Sequence, residues 1–96
     1  MKPSIALQKY REEVRNIALN HRVQNVRVFG SALHGDDTDE SDLDILVDPT
    51  PETTLMDIGA IRYELRKLLG IPVEVLTPKA IPLSFRHKVI EESQQI

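Results

Sequence analysis

Residues Phe29 to Asp48 read FGSALHGDDTDESDLDILVD, and this segment carries the strongest structural signals in the chain. It contains Gly30 and Ser31 near its start and Asp42 and Asp44 further on, with ten residues between Ser31 and Asp42. A glycine after a strand lets a ligand approach the backbone closely, because no Cβ intervenes. A serine at the start of a helical turn offers a hydroxyl and an amide to an anionic phosphate. The segment therefore predicts a phosphate-binding turn followed by a pair of metal-binding carboxylates.

The segments on either side of this turn are predicted to be strands. Val26–Phe29 alternates apolar and polar residues, and Asp42–Val47 does the same in the opposite phase. Strand side chains alternate between faces, so Asp42 and Asp44 share one face, with Cα atoms about 6.5 Å apart. The other face then carries Leu43, Ile45 and Val47. Two such carboxylates can converge on a divalent cation, and oxygen ligands suit magnesium or manganese. This arrangement suggests chemistry on a nucleoside triphosphate.

Four further acidic residues lie between the turn and the second strand, and we interpret them as a solvated loop. They are Asp36, Asp37, Asp39 and Glu40. The same interpretation does not explain Asp42 and Asp44, because two like charges on one strand face raise each other's pKa when no cation is bound.

A third candidate carboxylate, Glu74, lies in the apolar run Ile71–Leu76. Alternation places Glu74 and Leu76 on one face of a predicted strand and two valines on the other. A glutamate inside a strand is costly unless it is exposed or paired with a cation. An edge strand with Glu74 facing water is one interpretation, but the nearby aspartate pair favours a metal site that includes Glu74.

Helical patterns account for most of the remaining chain. Three helices are predicted: Ile5 to His21 with Ser4 as its cap, Thr53 or Thr54 to Leu69 with Gly70 as its stop, and Leu83 to about Ser93. The last has only a partial apolar face, from Phe85, Val89 and Ile90, which predicts a homo- or hetero-oligomer. Its basic cluster, Arg86 to Lys88, is interpreted as a solvated helix face, with contact to phosphates or an acidic partner as the alternative.

The element order α-β-β-α-β-α predicts an α/β (mixed α+β) fold, a small mixed β-sheet flanked by helices. The chain has 96 residues, and we expect one domain over residues 1–96. It contains no cysteine and carries a net charge of −3, which argues against thiolate metal sites and against autonomous nucleic-acid binding. No signal peptide or membrane span is predicted, so we expect a cytoplasmic protein.

At these residues the chain resembles the nucleotidyltransferase superfamily that includes DNA polymerase beta, and within it the minimal nucleotidyltransferase (MNT) branch. The matching residues are Gly30-Ser31, Asp42-x-Asp44 and the later strand acid Glu74, and Val75–Pro78 is similar to the family's usual ending of that strand. The helix and strand layout also matches, so the resemblance covers nearly the whole chain. It implies the polymerase beta-like nucleotidyltransferase fold.

The resemblance also implies roles for these residues. Asp42 and Asp44 would bind two Mg²⁺ ions that bridge the triphosphate of ATP, and Gly30 and Ser31 would hold the β- and γ-phosphates. Glu74 would complete the metal site and help deprotonate the acceptor hydroxyl. Members of this branch are commonly the antitoxin paired with a HEPN-domain ribonuclease toxin, and the family is associated with AMP transfer from ATP to a tyrosine of that toxin.

The chain departs from the family pattern at Glu74, where the third acid is usually aspartate. The extra methylene moves the carboxylate by about 1 Å, and a displacement of that size can cost on the order of a hundredfold in rate. One alternative is therefore a non-catalytic antitoxin that neutralises a partner by forming a complex. Another is a nucleotidyltransferase acting on a small molecule such as an antibiotic, although those enzymes generally carry an additional domain for the acceptor.

Overall fold

Four strands form a mixed sheet in the computed structural model, which describes residues 1–96. The elements are α1 (Pro3–Lys9), α2 (Arg11–Leu19), β1 (Val23–Phe29), α3 (Ser31–His34), β2 (Leu43–Pro49), α4 (Leu55–Leu69), β3 (Val73–Leu76), a 3₁₀ turn (Pro78–Ala80), α5 (Leu83–Glu92) and β4 (Gln94–Gln95). The strand order in the sheet is β3-β2-β1-β4. The predicted mixed sheet flanked by helices is thus confirmed. None of the helices has the length and apolar character needed to cross a membrane.

The register of the sheet places the predicted functional residues at one end of three neighbouring strands. β1 and β2 are antiparallel, and Phe29 pairs with Asp44. β2 and β3 are parallel, and Asp44 pairs with Glu74. Because β1 ends where β2 and β3 begin, the Gly30-Ser31 turn, the aspartate pair and Glu74 lie in the same corner of the sheet.

One face of the sheet forms the hydrophobic core beneath α2 and α4. The predicted alternation is confirmed, because Leu43, Ile45 and Val47 on β2 are all fully buried. The core also contains Val14 and Ala18 of α2, Ile61 and Leu65 of α4, Val26 and Val28 of β1, and Val73 and Val75 of β3. Asp44 and Glu74 therefore project from the opposite face, where Leu46 is also buried and the 3₁₀ turn contacts β2.

Helix α4 has well-defined caps at both ends, as the sequence predicts. The Thr54 hydroxyl accepts a hydrogen bond from the Asp57 amide at 3.3 Å, and the Asp57 carboxylate accepts one from the Thr54 amide at 2.8 Å. These reciprocal bonds form a capping box. Gly70 ends the helix with φ of +68° and donates its N–H to the Arg66 carbonyl at 2.8 Å. The chain then turns directly into β3.

The prediction of one continuous first helix is wrong. Tyr10 separates α1 from α2 with φ of −116° and ψ of 25°, values outside the helical region. Pro3 occupies the first turn of α1, so Lys2 rather than Ser4 is its N-cap residue. The spacing of apolar residues does not reveal this break, because Tyr10 and Val14 keep helical spacing across it.

The interpretation of Asp37 as part of a solvated loop is also wrong. Asp37 is buried, at 6% exposure, and its carboxylate accepts the Ser4 backbone N–H at 2.7 Å and the Ser4 hydroxyl at 3.1 Å. The Ser4 N–H and hydroxyl lower the pKa of Asp37, against an opposing effect of burial. This pair fastens the loop between α3 and β2 to the first helix. Asp36, Asp39 and Glu40 are exposed, as predicted.

We expect Asp37→Asn to lower the melting temperature at pH 7, because the amide replaces an ionised acceptor of two hydrogen bonds. The Asp37 pKa is lowered on folding, so its stabilisation is present above about pH 4 and is lost as the pH falls through the lowered pKa. The difference in melting temperature from wild type should therefore shrink as the pH is lowered below about 4. Circular dichroism melts over a descending pH series from pH 7 test this, with Asp36→Asn as the exposed control. A deficit that does not change with pH would contradict the assignment.

Candidate active site

Asp44 lies at the centre of the site, between Phe29 of β1 and Glu74 of β3. The backbone of Gly30 is pressed against its carboxylate: a Cβ added to Gly30 would lie 2.3 Å from Asp44 Oδ2. Gly30 also has φ of +75°, a conformation that side chains with a Cβ rarely adopt. The space that Asp44 occupies therefore depends on glycine at this position.

Asp42 lies one residue before β2, which begins at Leu43 rather than at Asp42 as predicted. The Leu43 N–H already donates to the Pro72 carbonyl at 3.0 Å, so this part of the chain is aligned with the start of β3. Asp42 is exposed, whereas Asp44 is half-buried. One carboxylate is thus free in solvent and the other is held against the protein.

The Gly30-Ser31 turn has the geometry expected for an anion-binding element. Gly30 is the N-cap residue of α3, and its carbonyl accepts the N–H groups of Leu33 and His34 at 3.1 and 3.2 Å. The N–H groups of Ser31 and Ala32, the first two of the helix, have no backbone partner, and the Ser31 hydroxyl makes no hydrogen bond to the protein. These groups stand next to the carboxylate of Asp44 and are available to an incoming phosphate.

Glu74 is half-exposed, and its carboxylate is paired with a residue that the sequence analysis missed. Arg66, in the last turn of α4, donates from Nη2 to Glu74 Oε1 at 3.2 Å and from Nε to the Val73 carbonyl at 3.0 Å. One sequence signal could have predicted this pairing. The connection from α4 to β3 through Gly70 is short, so the last turn of the helix must lie beside the strand.

The structure thus brings Asp42, Asp44 and Glu74 to one corner of the sheet, but it does not gather them into a ready set of ligands. No three acidic or histidine side chains stand close enough together to hold a metal ion as they lie. Carboxylate oxygens are nevertheless the donors that Mg²⁺ prefers. Because Gly30 has no side chain, it leaves room for the Asp44 carboxylate. The donor chemistry fits magnesium, with Asp42 and Asp44 as the adjacent pair.

The electrostatics of Asp44 match the expectation that these acids repel one another. Burial is the main cause that raises the pKa of Asp44 to about 6, and the charges of Asp42 and Glu74 raise it further. Near neutral pH the Asp44 carboxylate is therefore ionised at a cost in free energy. A divalent cation would relieve that cost.

This pKa gives a pH dependence that can be measured on the cation-free protein. The pKa of Asp44 is raised on folding, from 3.8 to about 6, so the folded state binds more protons than the unfolded state between these values. Its contribution to the free energy of unfolding is therefore largest below about pH 4 and is lost as the pH rises through 6. Urea unfolding in the presence of EDTA should show that the difference in the free energy of unfolding between wild type and Asp44→Asn changes across this pH range. A difference that stays constant with pH would contradict the assignment.

Comparison with known proteins places this geometry in context. Residues 7–96 match the family described as nucleotidyltransferase domain. A candidate protein adenylyltransferase of Methanocaldococcus jannaschii is 29% identical over 90 residues, which cover 94% of this chain and 97% of that protein. Protein adenylyltransferase MntA of Thermococcus cleftensis is 28% identical over 89 residues, which cover 84% of this chain and 90% of that protein.

Solved structures also resemble this chain. One described as a candidate minimal nucleotidyltransferase has a TM-score of 0.86 and 31% identity, and the match covers 97% of this chain and 95% of that chain. A toxin–antitoxin structure with AMP-PNP has a TM-score of 0.70 and covers 83% of this chain and 66% of that chain. Its identity is 18%, so this second likeness shows a shared fold.

Proposed function

Because this chain belongs to the nucleotidyltransferase domain family, we propose that it transfers AMP from ATP to a hydroxyl of a partner toxin and thereby acts as an antitoxin. The observation that carries the proposal is the corner at Gly30, where a turn with free amides abuts the Asp44 carboxylate and Asp42 and Glu74 lie alongside. The names of the relatives support AMP as the transferred group, since both are described as protein adenylyltransferases.

In the proposed reaction an acceptor oxygen attacks the α-phosphorus of ATP, the bond from that phosphorus to the bridging oxygen breaks, and pyrophosphate leaves. Gly30 and Ser31 hold the β- and γ-phosphates through the amides and hydroxyl of the turn. Glu74 accepts the proton of the acceptor hydroxyl. Two Mg²⁺ ions held by Asp42, Asp44 and Glu74 would supply charge neutralisation on the triphosphate when bound.

The proposed partner is a HEPN-type ribonuclease toxin, with a tyrosine as the acceptor, in a cytoplasmic pair of which residues 1–96 form the single catalytic domain. Support comes from the toxin–antitoxin structure with the same fold and from large apolar side chains that are exposed on this chain. Leu55 and Met56 of α4 are 89% and 84% exposed, and Leu83 and Phe85 of α5 are 78% and 50% exposed. No residue of α5 is buried, which leaves its partial apolar face available to a partner.

The test is transfer from ATP labelled at either the α- or the γ-phosphate, with a HEPN-type toxin as the acceptor. We expect the α-label to appear on the toxin and the γ-label to be released with pyrophosphate. Mass spectrometry should find one added AMP on a tyrosine, and a tyrosine-to-phenylalanine toxin variant should remain unlabelled. Absence of α-label from the toxin in the presence of Mg²⁺ would refute the proposal.

A second candidate is an antitoxin that neutralises its partner by binding alone. It is favoured by one observation, namely that the Glu74 carboxylate is paired with Arg66 and no three-carboxylate cluster is formed. Toxin neutralisation that survives Asp44→Asn would support this candidate over AMP transfer.

A further inference from the structure

Arg66 reaches the edge of the candidate site from the opposite side of the sheet. Its helix packs on the core face against β3, yet the guanidinium extends to Glu74, which projects from the other face. The two hydrogen bonds at Nε and Nη2 end on adjacent residues, the Val73 carbonyl and the Glu74 carboxylate. A rigid planar fork that contacts two neighbouring points fixes a direction as well as a distance.

This contact is poorly suited to a purely stabilising role. The Arg66 and Glu74 side chains are 44% and 43% exposed, and ion pairs this exposed to solvent contribute little to folding. The contact does, however, restrain a long, flexible acid on β3, which is an edge strand with a neighbour on one side only. The contact between Arg66 and Glu74 therefore affects where the Glu74 carboxylate lies relative to Asp44.

We propose that Arg66 is a positioning residue for the proposed nucleotidyl transfer: it holds the Glu74 carboxylate in place and compensates for the extra methylene of glutamate. This inference rests on the proposed function and deepens it. Arg66 is the one cationic side chain that forms an ion pair with any of the three site carboxylates. Without it, Glu74 can swing through several rotamers beside Asp44, its register partner on β2.

The same contact has a second consequence, of opposite sign, for cation binding. Arg66 places a positive charge beside one of three neighbouring carboxylates, so it repels a divalent cation. Loss of that charge should strengthen cation binding even as it disorders the Glu74 carboxylate, the proposed proton acceptor. General damage to the site would instead weaken both, so the two measurements together separate positioning from structural support.

The test compares Arg66→Gln and Arg66→Lys with Arg62→Gln, a matched control on the same helix whose exposed side chain makes no hydrogen bond or ion pair. For Arg66→Gln we expect kcat to fall about fivefold, the change that a restraint of this exposed kind can supply, with KM for ATP within about twofold of wild type. Mn²⁺ binding to the nucleotide-free protein, followed by isothermal titration calorimetry, should tighten about two- to fivefold. Arg66→Lys should keep the weaker Mn²⁺ affinity of wild type but recover only part of kcat, because lysine lacks the fork.

Shortening the acid provides the decisive comparison. In Glu74→Asp the carboxylate draws back from Arg66, so adding Arg66→Gln in that background should change kcat by no more than about twofold. An equal loss of kcat in both backgrounds would overturn the inference, as would an Arg66→Gln enzyme that turns over like Arg62→Gln or binds Mn²⁺ no more tightly than wild type. These failures presuppose an active wild type, whereas an inactive wild type would refute the proposed function itself.

Discussion

Asparagine in place of Asp44 is expected to reduce nucleotidyl transfer by roughly a thousandfold, while the folded chain becomes more resistant to heat. The two effects share one cause. Asp44 is half-buried, and burial together with Asp42 and Glu74 raises its pKa to about 6. Its negative charge therefore opposes folding at pH 7, and in the proposed mechanism the same charge would help to hold a cation on the triphosphate.

The size of the stability gain follows from that pKa once solvent screening is allowed for. We expect about 1 kcal/mol at pH 7.5 in the absence of divalent cations, and little gain at pH 3.5, where wild-type Asp44 is protonated. The measurements are transfer from ATP labelled at the α-phosphate and thermal melts of the same samples.

Asp48→Asn is the matched control, since Asp48 lies four residues further along the same strand. Its carboxylate accepts hydrogen bonds from Arg27 at 2.7 Å and from Asn25 at 2.8 Å. Its replacement should lower the melting temperature and leave transfer within a few fold of wild type. Retention of transfer by Asp44→Asn would exclude the mechanism, and a loss of stability in that variant would exclude the electrostatic account.

Alanine in place of Gly30 is expected to have the second large effect. The new Cβ would lie 2.3 Å from Asp44 Oδ2 and 3.2 Å from Asp44 Cγ. The backbone at Gly30 cannot relax without disturbing the turn into α3, so the Asp44 side chain must rotate away. We expect kcat/KM to fall by about a hundredfold, the cost of displacing a catalytic group by roughly 1 Å. The Gly30 backbone, with φ of +75° and ψ of −152°, lies in a region adopted almost only by glycine, which should add about 1–3 kcal/mol of destabilisation.

Gly35→Ala separates the two components of that effect. Gly35 also has a positive φ, +76°, but its ψ of 15° lies in the left-handed helical region, and no atom lies within 4 Å of an added Cβ. Gly35→Ala should therefore lose less stability than Gly30→Ala, about 1 kcal/mol by urea unfolding, and keep its transfer activity. If both alanine variants lost activity equally, backbone strain rather than the contact with Asp44 would be responsible.

Local sequence signals predicted much of the fold. The alternation in Leu43–Val47 identified which residues share each face of β2, because side chains in a strand point to opposite sides whatever the strand pairs with. Thr54 and Gly70 fixed the ends of α4, because capping depends on bonds within a few residues. Helix and strand positions that obey such short-range rules agree with the structure.

The errors occur where a distant contact outweighs a local pattern. Asp37 lies in a run of acids that is typical of a solvated loop, but Ser4, 33 residues away in the chain, buries and pairs with it. The short strand β4 also depends on a distant contact, since it exists only through its pairing with Val28 and Arg27. No window of sequence contains both partners of these contacts.

The sequence by itself determined that a glycine–serine turn follows one strand and that two aspartates share one face of the next, because spacing and strand alternation are properties of the local chain. Only the tertiary structure decided how tightly they meet and what surrounds them. The contact of Gly30 with Asp44 depends on the antiparallel register of β1 and β2. The pairing of Glu74 with Arg66 depends on α4 packing beside β3. Both are settled by how the elements pack together, and that packing places an arginine beside the third acid of the candidate site.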